Sequence, residues 1–473
     1  MSLKKNLVSN FLLTSSSLLF PLITFPFITR VLSNDSIGRV FFVDAFTQYF
    51  IVISSLGIPF YGIREISKLR NSPSKRSTLV VELISIQLVL ALVFSVVFFV
   101  LYFLVPSLNG NFDLIILGCI CIVFNAFMIE WFYQGLENFS FITVRALILR
   151  VISVFCIVLF IKSGTDHFIY YLIVVGLLVL NSVVNIANYF RNFHTKFILP
   201  LNFKQHLKPL LLLFSINIAV SVYTVLDTII LGLYTNALSV SYYNIPLKLV
   251  KMYWIVVSGL GIVMVPRIVS LVKIKDVKSI TLLLSKSFSL VFLLTIPFSF
   301  FCCVFANEIL ILISGEKYIN SSDSLRVLSF APFIIGCCNV LGTQFLMPMG
   351  MEKKILHATI VGLIVSLSLN IFLIPYFSFL GAAIACIAAE VSVFVYVFFV
   401  ARKHISVSID YMLLAHIFLS LLTGILFFFI SKGCCTEMMQ LFIVLAAYLT
   451  SFLLLQIFVF KNSFVNILLK FSI

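Results

Sequence analysis

Charge is what this chain has least of. Asp, Glu, Lys and Arg make up 10% of its 473 residues, while hydrophobic residues make up 62%. A soluble domain rarely exceeds about half apolar residues, so a polar coat of this size cannot cover the apolar bulk. A freely soluble globule is therefore excluded, and the mean hydropathy of +1.19 makes lipid the main solvent. Metal-ligand spacing is also missing. The ten cysteines sit mostly inside apolar runs, as in Cys119/Cys121, Cys302-Cys303 and Cys337-Cys338, and none of the six His residues is spaced with them as a metal site requires. They read as small apolar side chains, and neither metal nor cofactor is expected. Acidic residues are scarce too, 17 against 32 basic, for a net charge of +15. In a soluble protein that excess would suggest nucleic acid; in a membrane protein it sets topology.

What remains is apolar runs of about 20 residues, the length that crosses a bilayer. They predict an all-α integral membrane protein of about fourteen transmembrane helices, near 10–32, 40–62, 79–105, 112–136, 143–163, 167–190, 208–233, 241–266, 286–306, 324–348, 355–374, 379–401, 410–430 and 438–460. The first run is too long for a signal-peptide core and is expected to be retained. With the N-terminus inside, twenty-two basic residues fall on inner segments, and only Arg30, Arg39, Lys162, Lys317, Arg326 and Lys432 on outer ones. That alternation puts both termini in the cytoplasm and drops nucleic acid as a partner.

The chain also repeats itself at a period near 200 residues. Val52-Ile-Ser-Ser-Leu-Gly-Ile-Pro-Phe60 is similar to Val256-Val-Ser-Gly-Leu-Gly-Ile-Val-Met264, and Gly135-Leu136-Glu137 to Gly350-Met351-Glu352. Six-helix units are even, so two copies insert in the same orientation, as in transporters built from parallel repeats. The expected division is a six-helix lobe over 1–195, a second over 196–403, and two appended helices over 404–473. The basic stretch Arg191–Lys208 links the lobes.

Ionisable residues within the spans point most directly to function, because each costs several kcal/mol unless it faces a partner or water. Lys248 and Lys251 lie three apart on one face of the eighth helix. Lys251 is about 15 Å from the helix start by helical rise, beyond easy snorkelling. Arg150 lies about 10 Å into the fifth helix, and a guanidinium suits phosphate. Arg145, nearer the inner end, either lines a cavity or snorkels. Arg30 ends the first helix, where Pro21 and Pro26 predict a kink, and competes with an interfacial-anchor reading. These five are the candidate substrate-binding cations. Asp227, Glu390 and Glu130 are the candidate carboxylates, for ion coupling or for structural ion pairs. No catalytic constellation is expected.

Several segments resemble the polysaccharide-transporter family that includes the O-antigen flippases (Wzx-type), within the multidrug/oligosaccharidyl-lipid/polysaccharide exporter superfamily. They are Gly62-Ile-Arg-Glu-Ile66, Glu130-Trp-Phe-Tyr-Gln-Gly-Leu-Glu137, Leu226-Asp-Thr-Ile-Ile-Leu-Gly232, Val265-Pro-Arg267, and Gly381-Ala-Ala383 through Glu390. The resemblance runs from about Leu7 to Lys403. It implies a MATE-like fold, two six-helix lobes in a V, and a flippase moving undecaprenyl-pyrophosphate-linked oligosaccharide repeat units of O-antigen or a related surface polysaccharide to the outer leaflet of the bacterial inner membrane. Alternating access, coupling to H⁺ or Na⁺, and partnership with the polysaccharide polymerase and chain-length machinery come with it. The alternatives are a multidrug exporter of the same fold, which predicts an acidic cavity, and a membrane polymerase or glycosyltransferase, which needs a larger outer loop than Asn307–Asp323.

Overall fold

Lipid offers a backbone no hydrogen-bond partners, so spanning segments must satisfy their own amides. In the computed structural model the described residues (3–194, 199–262, 264–405, 410–432 and 435–455) are accordingly helical, with no strand among them. The helices are α1 (Leu3–Val31), α2 (Asn34–Ser55), α3 (Ile58–Lys68), α4 (Pro73–Leu104), α5 (Phe112–Asn125), α6 (Glu130–Gly135), α7 (Phe139–Phe160), α8 (His167–Asn192) and α9 (Lys204–Tyr234). They continue with α10 (Ala237–Ile262), α11 (Val265–Lys273), α12 (Val277–Val304), α13 (Ala306–Ser314), α14 (Ser322–Leu328), α15 (Ala331–Leu341), α16 (Glu352–Ala401), α17 (Tyr411–Ser431) and α18 (Glu437–Leu454).

Ten stretches are long and apolar enough to cross a membrane. The longest, Glu352–Ala401, is two helices joined at Ser378, whose φ of 50° and ψ of −128° break the helical path. With α1, α9 and α10, fourteen spans are present among the described residues, in register with the fourteen expected. The end of the last expected span, together with Lys461 and Lys470, lies outside the described residues. The faces toward lipid are apolar, as on α4, where Val96, Phe103 and Leu104 are about two-thirds exposed.

Several spans are interrupted where the sequence reads as one run. The second breaks at Leu56 (φ 45°) and Gly57 (φ 75°), and α3 restarts with Pro59 in its first turn. In the second unit α11 likewise starts with proline in its first turn, Pro266. Proline fits there because the first amides of a helix need no intrahelical acceptor. The fourth span breaks between α5 and α6, and the tenth passes through a π-helical turn, Gly342–Leu346.

By contacts the chain forms two units. One comprises Met1–Ile245, Ile313–Lys317 and Gly362–Cys386; the other comprises Pro246–Leu312, Tyr318–Val361 and Ile387–Ile473. A core of the first is built from α3, α4, α6 and α8 around Ile66, Val80, Leu83, Phe132, Tyr133 and Tyr189. In the second, α12 supplies Leu284, Phe292, Phe301 and Val291, and the appended α17 and α18 join the same core through Ile417, Leu421, Val444 and Tyr448. The partly buried N-cap of α12 is Asp276, which accepts from the Ser279 amide and hydroxyl at 3.1 and 2.6 Å. The hydroxyl bond, then the amide bond, holds its carboxyl below the usual aspartate range. This cap's contribution is present above the ordinary aspartate pKa and is lost as pH falls through the depressed value.

Two of the sequence motifs clasp each other. A Cβ on Gly62 would lie 2.4 Å from Cε3 of Trp131, and one on Gly135 would lie 2.8 Å from Cβ of Ile66. Ser67 Oγ donates to the Gly135 carbonyl at 3.1 Å, and Arg70 meets Glu137 at 3.0 Å. The motifs thus pack α3 onto α6 at backbone distance. Gly62→Ala is expected to destabilise the protein by about 1–3 kcal/mol through overpacking, read as a lower unfolding temperature in detergent. Gly176→Ala on α8, with nothing within 4 Å of the new Cβ, should be neutral or slightly stabilising. Equal behaviour of the two variants would refute the clasp. Gly381 serves a similar purpose after the Ser378 break: a Cβ there would sit 2.5 Å from the Leu373 carbonyl oxygen.

Candidate substrate and ion sites

The first unit gathers three of the expected charges on α6 and α7. Glu130 opens α6, and its carboxylate accepts from Arg145 Nη2; Arg145 Nη1 donates to Asn185 Oδ1 on α8. Asn185 is completed by its own donation to the Met128 carbonyl at 2.5 Å, and Tyr133 Oη donates to the Asn185 carbonyl at 2.6 Å. The Arg145 side chain is 4% exposed and that of Glu130 33%. Arg145 also lies over the Phe141 ring, 5.9 Å from its centroid. One guanidinium fork thus ties α6, α7 and α8 together. Arg150, five residues on, donates to the Leu13 carbonyl at 3.1 Å and to Ser16 Oγ, fastening α7 to α1.

Asp227 on α9 forms a second buried group, 4% exposed. Its Oδ2 accepts from Tyr243 Oη at 2.8 Å; its Oδ1 accepts from Ser366 Oγ at 3.0 Å and Asn370 Nδ2 at 2.6 Å. Three donors from α10 and α16 suit an ionised carboxylate. Beside it the buried Asn370 Oδ1 has no hydrogen-bond partner. A carboxylate with hydroxyls and a spare amide oxygen is hard-donor chemistry, of the kind that small hard cations take.

The remaining candidates lie apart from these groups. Arg30 is exposed at the end of α1, and its Cγ lies 3.6 Å from the position of a Cβ on Gly315. Lys317 Nζ donates to the Arg30 carbonyl at 3.3 Å, and Asn34 Nδ2 to the Lys317 carbonyl at 2.8 Å, closing that helix end. In the second unit Lys248 is half-buried and Lys251 exposed, two and five residues after Pro246 on α10. Glu390 is buried at 7% exposure in the second part of α16. Asn185, Tyr243, Ser366 and Asn370 were not among the expected site residues. Asn185 and Asn370 carried a signal nonetheless, since an amide inside an apolar run must find a partner.

Helical spans with buried, hydrogen-bonded charges among the described residues define a polytopic membrane protein. Among solved structures the chain is similar to the lipid II flippase MurJ in an inward closed conformation (TM-score 0.67, 15% identity, covering 93% of this chain and 97% of that one). It is also similar to an inward-facing multidrug resistance MATE family transporter of the MOP superfamily (TM-score 0.65, 12% identity, 81% and 93% covered). The polysaccharide biosynthesis protein family matches residues 3–272, and the chain belongs to it. Relatives named as O-antigen transporters come from Escherichia coli (strain K12), 25% identical over 82% of this chain and 94% of the relative, and from Shigella dysenteriae, 24% identical over 82% and 97%.

Proposed function

We propose that the protein is a flippase that carries undecaprenyl-pyrophosphate-linked oligosaccharide repeat units from the inner to the outer leaflet of the bacterial inner membrane by alternating access. The observation that carries the reading is the likeness, along 82% of the chain, to relatives named as O-antigen transporters. The mid-span cations Arg150, Lys248 and Lys251 agree with it, since a pyrophosphate demands basic partners, whereas export of cationic drugs favours an acidic site. Arg30 and Arg145 complete the candidate basic set, Arg145 with its charge already shared with Glu130. In this reading Asp227 is the candidate for H⁺ or Na⁺ coupling, supported by its burial and by the spare Asn370 oxygen beside it. Glu390 is the second candidate carboxylate. The charge alternation supports cytoplasmic termini, and the polymerase and chain-length machinery would receive the product.

Depletion in the native host should trap lipid-linked sugar on the inner leaflet while its synthesis continues. The measurement is leaflet-resolved labelling of the sugar in spheroplasts and inverted vesicles. An unchanged distribution would overturn the reading.

A further inference from the structure

The end of the first unit that carries Arg64, Lys68 and Lys75 holds a polar pocket of about 410 Å³, lined by Tyr61, Glu65, Lys75, Glu82, Asn202 and His206 among others. At its wall three buried side chains form a continuous chain. Tyr61 Oη lies 2.8 Å from His206 Nδ1, and His206 Nε2 lies 2.9 Å from Glu82 Oε2. Glu82 Oε1 accepts the Asn202 amide at 2.6 Å. Tyr61, Glu82 and His206 are 6%, 3% and 4% exposed, and they come from α3, α4 and the start of α9.

Gln205 Nε2 also lies 3.2 Å from His206 Nε2, and the shorter contact, to Glu82, assigns that nitrogen's hydrogen. An ionised Glu82 can only accept, so Nε2 of His206 carries a hydrogen. In the neutral imidazole Nδ1 is then an acceptor, and Tyr61 O–H donates to it. A phenol can reverse its role, and that reversal allows a second protonation state without breaking the chain.

We propose that Tyr61–His206–Glu82 is a proton-binding site reached from water through this pocket, in which His206 takes up one proton. The proton adds at Nδ1. The Tyr61 hydrogen turns toward the pocket, and its oxygen accepts Nδ1–H. The Nε2–H bond to Glu82 persists, and the site's charge rises by one. The pair becomes an imidazolium–carboxylate, and its hold on the start of α9 and on Asn202 tightens. The other charges at the site are Glu65 and Lys75, which line the pocket, and Arg64, whose guanidinium lies 5.4 Å from the Tyr61 ring centroid. Glu65 is already compensated by Arg64 and Lys68, each at 2.9 Å. The exposed Arg64 and Lys75 oppose uptake through water and salt, which screen them; the buried Glu82 contact favours it at hydrogen-bond distance.

The test is a ring-nitrogen NMR titration of ¹⁵N-histidine-labelled full-length protein in nanodiscs, from about pH 5 to 8, the range in which imidazole titrates. The His206 signal is assigned by its loss in His206→Gln. It is expected to respond to pH in this window, and Glu82→Gln, which takes away the carboxylate partner of Nε2, is expected to displace that response toward lower pH. Hydrogen exchange of wild-type protein, corrected for intrinsic rates, needs no variant: protection of the Asn202 amide should rise on acidification. A His206 that stays neutral to the bottom of the window, a pH response unmoved by Glu82→Gln, or protection at Asn202 that stays flat or falls on acidification would overturn the proposal.

Discussion

A strain whose only copy carries Lys251→Ala is expected to lose its surface polysaccharide while keeping normal amounts of inserted protein. Lys251 is exposed, so its removal leaves no buried partner orphaned and no cavity in a core. Its cost falls instead on what the ammonium meets during transport. One charge-assisted hydrogen bond is worth about 1.5–3 kcal/mol, so the apparent affinity for a pyrophosphate falls about 10- to 100-fold. Lys251→Arg keeps the charge and should retain most of the glycan. Lys248, half-buried on the same helix face, should give a weaker version of the same defect. Normal glycan in Lys251→Ala would remove this residue from the pathway.

Arg145→Ala is expected to act in the opposite way, through folding. Its guanidinium joins Glu130 and Asn185 with almost no exposure. Deleting it costs about 1–3 kcal/mol, because the buried Asn185 amide oxygen loses its donor while Glu130, a third exposed, turns to water. The unfolding temperature in detergent should drop, and protein abundance with it. Arg145→Lys should recover only part of the loss, since an ammonium cannot reproduce the planar fork. If Arg145→Ala melts like the parent but fails to export glycan, the arginine belongs to the substrate path rather than to the scaffold.

The contrast between these residues shows what the sequence could and could not reveal. Span number and order were readable because lipid imposes one rule on every segment: about 20 apolar residues, closed by charge. The breaks at Leu56-Gly57 and between α5 and α6 were not, since an apolar run reads the same whether its helix continues or turns. The places of Arg145, Arg150 and Lys251 along their own helices were legible, but partners were not. Helical spacing places a charge along its own helix and says nothing about Asn185, 40 residues away, or Ser16, 134 residues away. Glu82 was passed over for the same reason. Its partner His206 lies 124 residues on, at the start of α9. Gly62 and Trp131 stood out as motif residues, and the structure gives them a packing reason rather than a chemical one.

The central claim is translocation of a lipid-linked oligosaccharide, and reconstitution tests it most directly. Purified protein would be placed in vesicles whose lipid-linked sugar starts in the inner leaflet, with a membrane-impermeant glycosidase outside. The account predicts that the protected sugar becomes cleavable in vesicles holding the parent protein, and far more slowly in those holding Lys251→Ala. Sugar that stays protected in vesicles containing folded, inserted parent protein, with and without an imposed proton or sodium gradient, would contradict it.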